Sequence, residues 1–594
     1  MAVNTVRFDR FNGLKLDVPP LSLPPNKTDD MLNGYTIDGK QFRKRPGIGQ
    51  GTSEWFYFPN FTGGTGVPPM PIWDMEFFGG GGGAFYIMVL IDVVGAANNN
   101  VVPAILDYVT ASSIAVNADG TWRTRIALVN DAVNLADRFR LSRIVMGHTG
   151  MYRTNPQASA DSTTTPGVDT DVFRLERLGT ALNPTEIKSP GTVDRRRQQE
   201  AEYHRQRIFA SLIETPGLVI PIAQYAFTDF DSLTSWPTRN NNFTNPQGET
   251  NRNLGFKSMG DILYIGTTQD LWALTGSTLL SFHQQRVQSP AGCVLGRSAI
   301  DAGGILMAPA VSEKTTATQD RIFNILGISG FRAELIGDEI APMITGPANT
   351  GPRPDPRNGI GYFPLGSGMF GAYWKEEGLA IWFLRRDGGV GLTRDADNLA
   401  IQVWLVRQSR DGSFWKWQSH QSLGVNCIKA IDGKIVLGCQ DGNIRYFSHE
   451  RAFDYVIGVN AGQTALVRTR RAFRSFFKTS PVARRDGGHI SLEWVDVEGH
   501  PGTEDPNATN LLDNDFPGPE AWIYARSDRE TRKLVGKVLL DSFAKRVLVA
   551  GKINAGRTLE VWVEHATDRV EPELHAVTLG IEGLGQNIPK EPRV

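Results

Sequence analysis

The sequence predicts an all-β chain: a β-propeller core with an extended N-terminal arm and a C-terminal β-sandwich-like domain. Three observations carry this. The 594 residues include 63 glycines and 34 prolines, a composition that interrupts helices. Short β-branched or aromatic runs ending in Asp-Gly, Gly-Gly or Asn-Gly recur along the chain, while long helical periodicity is scarce. The middle of the chain repeats strand pairs at a spacing of about 40 to 60 residues, the size of a four-stranded blade. One or two large sandwiches would use the same short strands, but the repeated pairing favours the propeller. A propeller also explains how one chain exceeds the size that a single core serves, because each blade adds its own core.

Residues 1–50 form the arm. Its run Asp17-Val-Pro-Pro-Leu-Ser-Leu-Pro-Pro25 has φ held near −65° at four prolines, so it should be extended and need a partner surface. Asn33-Gly34 and Asp38-Gly39 then bracket Tyr35-Thr-Ile37 as a hairpin-like element, followed by Arg43-Lys44-Arg45 and the stop Pro46-Gly47.

Residues 51–455 form the propeller. The apolar run Ala84 to Val94 contains Asp92 and is too short for a bilayer; it reads as a buried strand, with Gly79 to Gly83 as a flexible lead-in. Four hairpins follow: Gly260–Gly266 with Asp270–Gly276, Ile305–Pro309 with Arg321–Leu326, Leu379–Leu384 with Ile401–Val406, and Lys434–Cys439 with Asn443–Phe447. The stretch Asp194 to Arg207, rich in Arg, Gln and Glu, is the one segment expected to be helical, a charged connector between blades.

Residues 456–594 form the last β domain. Arg468, Arg470 and Arg471 lie in Gly462 to Arg474, where Arg468 and Arg470 alternate with Val467 and Thr469 as on one strand face. Strands are expected over Ile490–Val497, Val535–Leu540, Arg546–Val549 and Leu559–Glu564. The end, Asn587 to Val594, should be mobile or docked.

The N-terminal string resembles tail nozzle and tail hub proteins of short-tailed bacteriophages, including the family called tail tubular protein B. Phe11-Asn12-Gly13 stands for that family's Phe-x-Gly-Gly start, with Asn12 departing from it. The Pro-rich run stands for its leucine-proline segment, Asn33 with Asp38-Gly39 for its turn, and Lys44-Arg45-Pro46-Gly47 for its basic-Arg-Pro-Gly ending. Further pieces follow in the family's order: Arg207-Ile-Phe-Ala-Ser211, Phe230 to Pro237, Leu271-Trp-Ala-Leu-Thr-Gly276, and Gly292 to Ser298 running into Gly303 to Met307. The resemblance implies a virion protein of the tail, a homohexameric ring below the portal and adaptor. Such a ring contacts tail fibres or spikes, meets the host envelope at infection, retains the genome, and then passes viral DNA in transit.

Chemistry-bearing motifs are sparse. The nine histidines form no metal-ligand spacing. Gly34 to Lys40 mimics a P-loop but continues with Gln41 in place of the Ser or Thr that would hold Mg²⁺. Gly79 to Gly83 precedes a strand where a dinucleotide site needs it to follow one, and there is no Gly-x-Ser-x-Gly elbow. Ser409 to Trp415 and Asn117 to Trp122 approach the Asp-box turn of sialidases, each one residue short between Asp and Gly. No catalytic residue, cofactor or metal ligand is therefore assigned, and the expectation is a non-enzyme.

Cys293, Cys427 and Cys439 are too few for a disulfide framework and read as core residues. The N-terminus lacks a basic region followed by an apolar run, so no secretory signal is expected. The balance of 62 basic and 63 acidic residues excludes a strongly polyanion-seeking surface, as suits a conduit that must release DNA. Arg43, Lys44, Arg45, Pro46, Arg468, Arg470 and Arg471 are the expected contacts to a neighbouring subunit or the adaptor. The alternative is a propeller-based receptor- or glycan-binding tail protein, with Trp415 and Trp417 exposed to stack on sugars.

Overall fold

The computed structural model describes residues 3–36, 39–49, 72–80, 84–93, 100–110, 113–114, 124–127, 143–146, 150–154, 171–178, 181–187, 197–213, 224–231, 241–243, 253–312, 321–345, 369–385, 402–408, 412–418, 425–431, 433–439, 444–449, 453–459, 466–484, 486–500, 520–528, 530–540, 544–565 and 573–583. Among these residues, seven antiparallel sheets follow one another as blades of a β-propeller. Blade 1 has its four main strands at Ile72–Gly80, Ala84–Val93, Asn100–Thr110 and Thr124–Ala127; blade 2 runs from Arg143–Met146 to Ala181–Ile187. Blade 3 comprises Arg197–His204, Arg207–Ile213, Gln224–Phe227 and Asn241–Phe243, and blade 4 Asn253–Met259, Ile262–Thr267, Leu271–Thr275 and His283–Arg286.

Blade 5 opens with the short strands Gly292–Cys293 and Ile300–Asp301, then Leu306–Ser312, Arg321–Ser329 and Arg332–Leu335. Blade 6 comprises Met369–Trp374, Leu379–Arg385, Gln402–Gln408 and Phe414–Gln418. Blade 7 takes Val425–Ile431, Lys434–Cys439 and Ile444–Ser448 from the middle of the chain and its outer strand, Gly47–Gly49, from the arm. The inner strands of successive blades pack side by side, with the second strand of blade 4 meeting the first of blade 5, and the first strand of blade 7 meets that of blade 1, so the ring closes.

All four expected hairpins form. The run beginning at Ala84 is an internal strand of blade 1, while Gly79 and Gly80 belong to the strand before it, paired with Phe85 and Ala84, and are no lead-in. The expected helix is a correction: its described part is the strand Arg197–His204, paired with Arg207–Ile213. Arg205 and Gln206 take φ of 50° and 60°, the two-residue turn that matches strand twist. Pairing with the β-forming Ile208 and Phe209, both buried, overrides the helix propensity of the Arg, Gln and Glu side chains.

The arm has five strands, β1 (Val3–Phe8), β2 (Met31–Leu32), β3 (Gly34–Tyr35), β4 (Phe42–Lys44) and β5 (Gly47–Gly49). They are distributed over three sheets. β1 and β4 share one edge of Glu573–Glu582, whose other edge pairs with Ser491–His500, and β3 pairs β4. β2 pairs with Ser475–Lys478 in the second sheet, which continues through Thr558–His565, Glu520–Ser527 and Lys533–Leu539. β5 completes blade 7. A boundary at residue 50 therefore separates no folded unit: the strands β1 to β4 share the two sheets of the sandwich with strands that lie between Ser475 and Glu582. One buried apolar cluster runs from Phe8, Phe11 and Phe42 of the arm through the tryptophans of blade 6 to Val561 and Leu579 of the sandwich.

Candidate functional site at the junction of arm, propeller and sandwich

The prolines keep residues 17–25 out of a sheet, with one short 3-10 turn at Pro20–Ser22, and the flanking backbone bonds to the propeller. Leu14 N–H donates to the Phe414 carbonyl at 2.9 Å and Leu16 N–H to the Glu339 carbonyl at 2.7 Å. Gly13, at φ +78°, lies where a Cβ would meet the Phe414 carbonyl oxygen at 2.4 Å, so the turn there requires glycine. Phe11 stacks edge-on against Phe477 with ring centroids 4.8 Å apart.

The basic cluster then enters the interior. Arg45 and Asp454 are both fully buried, and their bidentate pair has Nη1 to Oδ1 at 3.0 Å and Nη2 to Oδ2 at 2.6 Å. Arg45 also donates to Asn33 Oδ1 at 3.0 Å and to the carbonyls of Pro46 and Gln418 at 2.8 and 2.9 Å, and it lies 3.6 Å above the Phe473 ring. Asp454 accepts a further bond from Ile48 N–H at 3.1 Å. Asn33, at φ 55°, accepts from Gln418 N–H at 2.6 Å and donates to the Arg474 carbonyl at 2.8 Å. One arginine and one asparagine thus tie arm, blade 6 and the strand leading into the sandwich. Desolvation makes such a pair a modest net contributor, but losing one partner strands a buried charge at a cost of about 3–5 kcal/mol.

A second buried group lies in the sandwich. Lys478 Nζ contacts Asp29 Oδ1 at 2.8 Å and Glu560 Oε1 at 2.7 Å, and Arg526 bonds the other oxygen of Glu560. Burial pushes the Glu560 carboxyl up, but the charges and hydrogen bonds of Lys478 and Arg526 outweigh it and hold the group below the usual carboxylate value. Arg474 and Arg532 bond Glu564, and Arg43 bonds Glu573. Burial, with Lys44 nearby, drives His565 well below the ordinary imidazole value, so it stays neutral.

These positions correct two expectations. Lys44, Arg45 and Pro46 are buried and form no outward contact, and Arg45 meets an acid of its own chain; Arg43 bonds Glu573 and keeps about a third of its side chain exposed. Trp415 and Trp417 are fully buried and offer no ring to a sugar. Trp417 donates its Nε1–H to the Gly34 carbonyl at 3.1 Å and packs against Tyr35, because blade 6 puts its outer strand under the arm. Arg468, Arg470 and Arg471 sit on Leu466–Ala472, a hairpin with Phe453–Val459, in register with Ile457, Tyr455 and Asp454.

Asp29, Asp454, Glu560 and Glu564 escaped the sequence reading. Arg45 and Asp454 are 409 residues apart, and no local pattern marks an isolated acid as the partner of a distant base. Among the described residues, no group of three or more His, Cys, Asp or Glu is arranged to hold a metal ion. What the junction does chemically is hold: opposite charges are matched inside the protein, and three chain segments are fixed together.

No family model and no curated protein matches the chain. Solved structures that resemble it include a computationally designed protein, Ika8, at 10% identity over 66% of this chain and 99% of that one, with a TM-score of 0.31. Others are an exo-β-1,3-galactanase of Phanerochaete chrysosporium, at 9% identity, 90% and 99% coverage and a TM-score of 0.26, and a mutant sialidase of Trypanosoma rangeli, at 9%, 98% and 96%, and 0.29. Likenesses this weak carry no function across. The class rests on the chain's own topology, a seven-bladed propeller joined to a β-sandwich.

Proposed function

We propose that the chain is a structural protein of a short-tailed phage tail, the nozzle or hub ring below portal and adaptor, retaining the genome and conducting DNA at ejection, with no bond-making step. One observation carries this reading. Among the residues through which the sequence resembles that family, Phe11, Gly13, Asn33, Arg45 and Gly47 join arm, propeller and sandwich; Asp38 lies outside the described residues. A pattern that encodes a three-way staple is a demanding one, and a ring subunit that resists pressure from packaged DNA needs its domains held as one body. The near-zero net charge suits a wall that DNA must leave. In this proposal Arg468, Arg470 and Arg471 reach a neighbouring subunit or the adaptor, the ring is a homohexamer, and fibres or spikes and the host envelope are its outer partners.

The test is the copy number of this chain relative to the portal protein in purified particles, by quantitative mass spectrometry. A closed ring on the tail axis gives about one copy for every two portal subunits. A ratio far from that, or absence from particles, rejects the proposal.

A further inference from the structure

In a four-stranded blade, the turn between strands 1 and 2 and the turn between strands 3 and 4 lie at the same end, so both sets of turns line one rim of the propeller. On blades 3, 4 and 5, four of the six turns on that rim carry exposed apolar side chains, while the 1–2 turns of blades 3 and 4, Arg205-Gln206 and Gly260-Asp261, are polar. Phe230 follows the third strand of blade 3, Leu279 and Leu280 form the 3–4 turn of blade 4, and Ile305 and Phe331 lie on the 1–2 and 3–4 turns of blade 5. They are exposed by 60%, 41%, 102%, 42% and 44%, and they make up half of the large apolar side chains exposed among the described residues.

The tips are held rigidly. Ser281 Oγ accepts from the N–H groups of Ser277 and Thr278 at 3.1 and 2.9 Å, which locks the turn that projects the two leucines. At its base, Gly276 has φ +103° and no room for a Cβ beside the Ser281 carbonyl. The blade 3 tips are joined by Asp231 N–H to the Gln206 carbonyl at 2.8 Å, and Tyr264 of blade 4 donates to the Gly330 carbonyl of blade 5 at 2.9 Å. Arg205 of blade 3 pairs with Asp261 of blade 4.

We infer that this rim docks on a lipid surface, by inserting apolar tips between zwitterionic headgroups. Two features select that occupant. The five side chains come from four separate turns, so a protein partner would need a set of pockets at blade spacing, whereas a flat, fluid lipid interface takes each side chain where it enters. The charges at the rim are mixed, Arg205 and Arg332 against Asp231, Asp261 and Asp301, which complements headgroups carrying both signs and gives little attraction for a polyanion or a strongly anionic membrane. The inference is independent of the tail assignment.

The test is flotation of the full chain with phosphatidylcholine vesicles at low and high salt. The chain is expected to float with the vesicles to the same extent at both, because insertion and not charge drives binding. Leu279→Ser with Leu280→Ser should lower the partition coefficient at least about tenfold, given what burying leucine side chains contributes. Ile305→Ser with Phe331→Ser on the next blade should act in the same direction, and both variants should keep the parental melting temperature, since none of these side chains is in a core. Leu534→Ser with Leu548→Ser, which alters two exposed leucines on the sandwich, should leave flotation unchanged. Failure of the unmodified chain to float, loss of flotation in salt, indifference to both rim variants, or a rim-dependent self-association without lipid binding would each overturn the inference.

Discussion

Two arginine–aspartate pairs show how differently the parts of this molecule are held. Arg205–Asp261 joins neighbouring turn tips on blades 3 and 4, 56 positions apart in the chain, with side chains 40% and 85% exposed. Arg45–Asp454 joins segments 409 residues apart, and both side chains are fully buried. The first pair sits on hairpins that close by local pairing and have their own aromatic core of Phe209, Tyr225, Phe227 and Phe256; it decorates a structure already made. The second lies where no hairpin could bring the chain together, so packing, backbone bonds and charge all act at once on a contact with a large loop-closure cost. A blade can thus be assembled from neighbours in sequence, while the union of propeller and sandwich depends on a few buried groups of the arm.

The sharpest way to break that contrast is Arg45→Ala. It leaves Asp454 buried without its counter-charge, and the expected loss is about 3–5 kcal/mol in denaturant unfolding, with the sandwich losing its attachment first in hydrogen exchange. A loss below about 1 kcal/mol, the range of exposed pairs, would erase the distinction. Arg45→Met combined with Asp454→Leu should recover much of the loss, because the stranded charge is gone.

Gly13→Ala tests the backbone half of the same staple. Positive φ and a carbonyl within reach of the new methyl group should together cost about 2 kcal/mol, read as a lower melting temperature; an unchanged one would mean that the arm tolerates displacement from blade 6.

Acid compares the two regions through their histidines. His204 in blade 3, bonded through Nδ1 to Ser258 Oγ at 2.8 Å, is lowered from 6.5 to about 4, by burial first and then by the charge of Arg205. His565 in the sandwich is lowered further, by burial and Lys44. Each takes up a proton in the unfolded chain before it does so in the folded one, so each contributes stability that is complete above the unfolded value and lost as pH falls below it. For His204 the loss runs from pH 6.5 down to about 4. For His565 it continues to lower pH. Denaturation midpoints measured across this range should fall with acidification, and His204→Gln should flatten the upper part of the curve; a midpoint that rises as pH drops would contradict the assignment.

At the small end, Arg205→Ala should change stability by no more than about 0.5 kcal/mol, since an exposed ion pair is screened and pays side-chain entropy. A cost of several kcal/mol would show that blade-to-blade turn contacts hold the ring and would narrow the difference between the two pairs.

The blades were legible in sequence because a strand pair with a short turn is a local object. Leu263 opposite Leu274 and Val436 opposite Tyr446 follow from alternation and from the punctuation between the runs. The stretch from Asp194 to Arg207 misled because Arg, Gln and Glu report intrinsic preference, while its state was decided by the strand that pairs with it. Arg43 to Arg45 stood out as a charge cluster, yet whether a base faces water, another molecule or a buried acid depends on what chain folds over it. Nothing near residue 45 announces Asp454. Trp415 and Trp417 were recognisable as aromatic strand residues, but the arm that covers them begins some 380 residues earlier in the chain, with Trp417 bonded to Gly34 across a separation of 383.

What near neighbours in the chain dictate could be read directly: mostly β strands, hairpins of the size of blades, a proline run kept out of any sheet, and glycine at most turns to positive φ, with Arg205 and Gln206 among the exceptions. These follow from forces between near neighbours, which composition and alternation record directly. Only the tertiary structure decided the number of blades, the closure of the ring by residues 47–49, the sharing of the arm among three sheets, and the burial of Arg45 and Trp417. Those outcomes depend on contacts between residues hundreds of positions apart, where burial and pairing are set by the whole chain and leave no mark at either site alone.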